Sequence, residues 1–225
     1  MHRLSVVVPV LNEAHGIVVS LQALAPLRSQ DVEIIVVDGG SVDATVALCA
    51  GWCDLVVQAE RGRACQMNAG ALRASGRILL FLHADTRLPS QALVSVEEAL
   101  ASKARRWGRF DVAISGRHRM LRVVAWMMNA RSRLSGIATG DQALFVLRDE
   151  FHRVGGFPDQ ALMEDIELSR RLRTASRPVA LKPQVITSGR RWEKHGVWRT
   201  IFLMWRLRFL YWLGASPERL AHRYP

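Results

Sequence analysis

Apolar runs and polar stops alternate regularly along the first third of the chain. Leu4–Val10 is a β-branched run closing on Pro9, Asn12 and Glu13, which reads as a strand with its polar residues at the C-terminal end. Ala14–Leu27 follows at helical spacing through Ile17, Leu21 and Leu24. Val32–Val37 reads as a second buried strand, ending on Asp38 and Gly39-Gly40, and Ser41 is placed to N-cap a helix running through Thr45 and Leu48. Leu55–Val57 gives a short third strand, Glu60–Arg63 a polar loop, and Ala64–Ala74 an amphipathic helix closed by Gly76. In Arg77–His83 the positions from Ile78 onward form a nearly unbroken apolar run, the pattern of a strand covered on both faces. With right-handed crossovers, this β-α-β-α-β-α-β order requires a largely parallel, doubly wound sheet.

The second half is less regular. Pro89–Lys103 reads as a helix, Arg109–Ser115 as a strand, and Met120–Leu134 as an apolar stretch broken by Arg122, Arg131 and Arg133. Ala143–Leu147 is a further strand, Gly155-Gly156-Phe157-Pro158 a tight loop, Met163–Arg173 a short helix, and Pro178–Lys182 a last short strand. Glu164, Asp165 and Glu167 open the Met163 helix, where acids suit the positive end of the helix dipole whatever else they do. Val197–Leu213 mixes Trp198, Phe202, Trp205, Phe209 and Trp212 with Arg199, Arg206 and Arg208. That mixture suits a helix lying in a membrane interface; a C-terminal helix packed on the domain is the alternative.

At 225 residues and 49% hydrophobic, the chain fits one large domain. No stretch approaches the roughly 18 apolar residues of a membrane span, and the N-terminus lacks the pattern of a secretory signal. Cys49, Cys53 and Cys65 have neither disulfide-framework nor zinc spacing, so they read as reduced, mostly buried thiols in a cytoplasmic protein. The net charge of +11 points to anionic partners of some kind: nucleic acid, lipid headgroups or a phosphorylated substrate. Much of it crowds into 103–133, including Arg109.

The polar residues that end the strands supply the candidate chemistry. Asn12, Glu13, Asp38 and Asp85 stand just past strand ends, and Arg61 and Arg63 lie in a loop on the same side. Open α/β sheets bind ligands at that edge. Neither G-x-G-x-x-G nor the P-loop pattern follows the first strand, which weighs against dinucleotide enzymes and P-loop NTPases. Asp85 alone could hold a metal or nucleotide, or be a solvated turn residue.

Taken together, these segments resemble the family-2 glycosyltransferases of the GT-A fold. Ser5–Glu13 resembles their first nucleotide-binding strand and turn. Val36-Val37-Asp38-Gly39-Gly40-Ser41-Val42-Asp43-Ala44-Thr45 is similar to their V-D-D-G-S-x-D-x-T segment, and Gly62–Gly70 to the segment that lines the diphosphate. His83-Ala84-Asp85 sits where they carry D-x-D. Gly155-Gly156-Phe157 followed by Glu164-Asp165 is similar to their acceptor loop and catalytic acid pair, and Arg191-Trp192 to the end of Q-x-x-R-W. The likeness runs from about Leu4 to Trp192. Three positions depart from it: His83 replaces the first acid of D-x-D, Gly39 the second Asp, and Ser188 the Gln.

The resemblance implies a mixed, mainly parallel GT-A sheet flanked by helices, with a C-terminal amphipathic helix. Residues 1–88 would bind the sugar nucleotide and 89–192 the acceptor, while 193–225 would form a helical, membrane-interfacial segment. It implies inverting transfer of one sugar from a nucleoside-diphosphate sugar to an acceptor hydroxyl, with Asp165 as general base. Pro9, Asn12, Glu13, Asp38, Arg61, Arg63 and Asp85 would hold the donor, with Mg²⁺ or Mn²⁺ on Asp85 and His83. Asp141, Glu164, Arg191 and Trp192 would face the acceptor, although Asp141 also fits a turn. With the basic middle and aromatic C-terminus, a phosphorylated or lipid-linked acceptor and a peripheral place on the anionic inner face of a membrane are expected, and no nucleic acid. A nucleotidyltransferase, a sugar-nucleotide binder without transferase activity and a basic nucleic-acid-binding protein are the alternatives.

Overall fold

The computed structural model describes residues 2–223. Its centre is built from β1 (Leu4–Val10), β2 (Val32–Asp38), β3 (Leu55–Gln58) and β4 (Ile78–Phe81). They pair in parallel in the order β3-β2-β1-β4. β2 and β4 are buried at every position, as continuous apolar runs require when helices cover both faces. Alternation along β1 sends Leu4, Val6 and Val8 into one core layer with α1 (Ile17–Arg28) and α4 (Ala92–Leu100). Val7, Ile35 and Val37 face the opposite layer with Met67 and Ala71 of α3 (Arg63–Arg73). Here α3 lies so close to the sheet that a Cβ on Gly70 would sit 2.5 Å from Val7 Cγ1 and 2.8 Å from Val37 Cγ2.

The sheet continues beyond β4 through β7 (Phe145–Leu147), β6 (Trp107–Ser115), β8 (Val179–Ser188) and β5 (Thr86–Arg87). β4–β7, β7–β6 and β8–β5 are antiparallel, whereas β6–β8 is parallel. The sheet is therefore mixed and mainly parallel.

Several boundaries differ from the sequence reading for local reasons. The last strand reads as Pro178–Lys182, yet β8 continues past Pro183 to Ser188. The register jumps from Phe110↔Leu181 to Asp111↔Gln184, so a bulge passes the proline without asking it for a ladder hydrogen bond. The helix after β2 (α2, Thr45–Cys49) has Ala44, not Ser41, at its N-cap. Ser41 Oγ instead accepts the Asn12 N–H at 2.9 Å, tying the ends of β1 and β2 together. Arg109 does not belong to a solvent-facing basic cluster. It is fully buried, donating to Ser132 Oγ, the Phe110 and Asn129 carbonyls and Asp111. Burial lowers its pKa, an effect that Asp111 opposes.

Three short helices have no counterpart in the sequence reading: α6 (Arg148–Arg153), α8 (Arg190–His195) and α10 (Pro217–Ala221). α5 (Met120–Ser135), α7 (Glu164–Leu172) and α9 (Val197–Trp212) surround the second half of the site. α9 packs on the domain through Val197, Thr200 and Leu207, with Leu207 meeting Leu162, Met163 and Ile166. Its other face leaves Trp198, Phe202, Trp205, Phe209 and Trp212 more than half exposed. The segment is thus a helix packed on the domain that keeps an exposed aromatic face. No helix among the described residues is long and apolar enough to cross a membrane.

Candidate active site

A cavity of about 430 Å³ opens at the C-terminal edge of β1 and β4. Pro9 and Glu13 line it from β1, His83 and Asp85 from β4, and Arg61 and Arg63 from the start of α3. Asp141, Arg191 and Trp192 reach it from the second half of the chain. The sheet edge thus gathers most of the residues the sequence singled out. Asn12 and Asp38 do not line the cavity; they build its rim. Asp38 accepts the Gly40 and Ser41 N–H groups. Asn12, at φ 53°, accepts the Val42 N–H at 2.9 Å.

Gln66 was not singled out, though it lines the cavity and is buried. Its Nε2 donates to the Val10 and Val37 carbonyls, at 2.8 Å each, pinning the two strand ends. A Cβ on Gly39 would stand 2.9 Å from Gln66 Cδ, so the glutamine fills the space beside this glycine. Arg190, also missed, reaches Glu13 at 3.4 Å and Asp85 at 3.8 Å.

Asp141 sits in a single 3₁₀ turn, Gly140–Gln142, closed by reciprocal bonds between Thr139 and Gln142. Gln142 Nε2 anchors the turn to Asn129 Oδ1 at 3.2 Å. His83 packs against this turn: its Nδ1 is 3.4 Å from Asp141 Oδ1, and a Cβ on Gly140 would fall 2.6 Å from its Nε2. Burial alone would raise the Asp141 pKa. The His83 hydrogen bond and charge, then Arg63 and Arg191, outweigh it and hold the carboxyl below its ordinary value. Its side chain remains 46% exposed because it faces the open cavity.

A second cavity, of about 290 Å³, adjoins the first between α5, α9 and the start of α7. The two share Arg63, His83, Asp141, Trp192 and Met204 as walls. Met163, at φ 66°, turns the chain sharply into α7 and sets Glu164 and Asp165 in the second cavity. A bulky residue in the left-handed region is strained, and such strain clusters at functional sites. Asp165 Oδ2 accepts the Gly140 N–H at 2.9 Å and Oδ1 the Ile166 N–H at 2.7 Å. Burial raises the Asp165 pKa despite these two bonds. Burial, reinforced by the charge of Asp165, pushes Glu164 up to about 7. A dominant helix dipole would lower both. Only Glu167 takes the surface role, pairing with Arg170 and Arg171.

The remaining wall carries two residues that sequence reasoning missed, Arg131 and Arg208. A helical stripe of Met120, Val124, Met127 and Arg131, at i, i+4, i+7 and i+11, was the available signal.

An α/β sheet continued by a mixed second half, with acids and arginines gathered past β1 and β4 and an acid pair in the adjoining cavity, is the arrangement of the GT-A fold. The family model described as Glycosyl transferase family 2 matches residues 5–152, and the chain belongs to that family. It is 33% identical over 132 residues to a dolichyl-phosphate beta-glucosyltransferase of Drosophila melanogaster, an alignment covering 51% of this chain and 40% of the fly protein. In fold it is similar to TarS 1–349 of S. aureus, solved with UDP-GlcNAc, with a TM-score of 0.67 and 19% identity. That match covers 83% of this chain and 58% of TarS 1–349. It is also similar to the mannosyltransferase PcManGT of Pyrobaculum calidifontis, solved with GDP-Man and Mn²⁺. There the TM-score is 0.66 and the identity 24%, covering 98% of this chain and 68% of the other.

Proposed function

We propose that this chain transfers one sugar, with inversion, from a nucleoside-diphosphate sugar in the first cavity to an acceptor hydroxyl in the second. The observation that carries the reading is the shared wall. Arg63, His83 and Asp141 border both cavities, so a diphosphate in one and an acceptor in the other meet there. In the reaction, the acceptor oxygen attacks the anomeric carbon and its proton passes to Asp165. The carbon–oxygen bond to the diphosphate breaks with its electron pair on the leaving group. Arg61 and Arg63 face that developing charge, joined by Arg191, which the resemblance put on the acceptor but which lines the first cavity and not the second; Pro9, Glu13 and the turn held by Asn12 and Asp38 cradle the nucleoside. An Asp165 made more basic by burial, yet held by two N–H bonds, suits a general base, whose help is typically worth about 10²–10⁴-fold in rate.

The donor set fits a shared divalent ion. Among the described residues no group of three or more His, Cys, Asp or Glu could hold a metal. The protein would therefore supply one or two ligands, which suits Mg²⁺ or Mn²⁺ completed by phosphate oxygens and water. Asp85 offers a partly exposed carboxylate, whereas His83 could offer Nδ1 only in exchange for Asp141. Bound there, the ion would neutralise charge on the leaving diphosphate. Exposed aromatics on α9, with exposed Arg199 and Arg206 beside them, support a peripheral place on an anionic membrane surface. The similarity to the fly dolichyl-phosphate beta-glucosyltransferase supports a lipid-linked acceptor. The test is Asp165→Asn: transfer should be abolished while donor affinity stays within a few-fold. Loss of donor binding in that variant would remove Asp165 from the base role.

A further inference from the structure

Among the described residues, the buried side-chain nitrogens and oxygens without a hydrogen-bond partner are Arg131 Nε, Arg131 Nη2 and Arg208 Nε. All three belong to residues lining the second cavity. A buried, unmatched donor on a charged group is costly enough that native structures rarely leave one without a reason. This protein does match a buried arginine when its role is structural: Arg109 has hydrogen-bond partners on Ser132, Phe110, Asp111 and Asn129. Arg131 is different. Its charge feels Asp165, but the Asp165 oxygens take the Gly140 and Ile166 N–H groups.

The rest of that cavity is apolar, with walls that include Met120, Val124, Met127, Met128, Ile201 and Met204. Methionines of this kind adapt to a flexible chain. Its mouth lies where Val123, Met127 and Trp205 both line the cavity and are exposed. Outside it, Trp126, Phe202 and Phe209 continue the apolar surface.

We infer that Arg131 and Arg208 seat the phosphate of an amphiphilic acceptor whose apolar chain leaves between α5 and α9. Two guanidinium groups with unmatched N–H donors suit phosphate oxygens, and the methionine and tryptophan walls suit a hydrocarbon chain. The inference rests on the transfer reading for its word acceptor, but binding can be tested without transfer.

The experiment measures binding of three probes to the full chain by calorimetry: monododecyl phosphate, dodecyl maltoside below its micelle concentration, and inorganic phosphate. Monododecyl phosphate should bind at least about tenfold more tightly than either other probe. Arg131→Gln and Arg208→Gln should each weaken it at least about tenfold, the scale of a hydrogen bond to a charged group. Equal binding of the maltoside would show an apolar cavity without an anion seat and overturn the inference. Equal binding of inorganic phosphate would show a free-phosphate seat without a chain and overturn it too. Arg131→Met, tested without ligand, should keep or raise Tm, because an unmatched buried charge is removed. A marked fall in Tm with undiminished binding in Arg208→Gln would make both arginines structural. Donor titrations in the same samples separate the readings, since their failure would sink the transfer reading and leave the anion seat standing.

Discussion

Glu164→Gln exposes what the acid pair does to the fold. Glu164 is 6% exposed, and burial with the charge of Asp165 moves its pKa from 4.5 to about 7. The folded chain therefore holds this proton more firmly than the unfolded chain does. Stability from the group is fully present below pH 4.5 and is lost as pH rises through about 7. At 1.36 kcal/mol per pKa unit, the loss is about 3 kcal/mol once both states are ionised. Glutamine has nearly the shape of the protonated acid but no proton to lose. Urea denaturation from pH 5 to 8.5 should find the variant and parent similar at the acid end and the variant more stable, by up to about 3 kcal/mol, at the alkaline end. Parallel profiles, or a variant that loses ground as pH rises, would refute the burial argument.

Asp85→Ala should abolish the metal dependence of donor binding, measured as the difference between titrations with Mn²⁺ and with EDTA; an undiminished difference would remove Asp85 as a ligand. Gly70→Ala gains about 1 kcal/mol of helix propensity but drives a methyl into Val7 and Val37, and such overpacking typically costs about 1–3 kcal/mol. The net cost is then up to about 2 kcal/mol, a Tm lower by up to about 8 °C is expected, and a higher one would mean that α3 can lift off the sheet.

The parallel half of the fold was legible because its strands are buried on both faces and its helices follow at regular intervals. Polar residues at strand ends likewise announced the first cavity. What escaped depends on tertiary contact. A bulge lets β8 pass Pro183, two residues suffice for β5 because β8 receives it, and Arg109 is buried only because Ser132, Asn129 and Asp111 come to meet it. The roles of Asn12 and Asp38 could not be separated from those of Glu13 and Asp85 by position, since a turn aspartate and a ligand-facing one occupy the same place in a sequence. Arg131 and Arg208 lay in segments whose basic character reads as surface charge, and only the fold, which brings α5, α9 and the start of α7 around one cavity, encloses their nitrogens.

Transfer requires the first cavity to hold a nucleoside-diphosphate sugar beside Asp85, Arg61 and Arg63. Thermal stability measured against UDP-, GDP-, CMP- and dTDP-sugars, each with Mn²⁺, Mg²⁺ or EDTA, reads that binding without an acceptor. A ligand bound only by the folded state adds about 2.7 kcal/mol at a hundredfold excess over its Kd. One nucleotide class should raise Tm with the divalent ion and lose most of the rise with EDTA; no rise with any donor under any condition would mean that the cavity holds no sugar nucleotide.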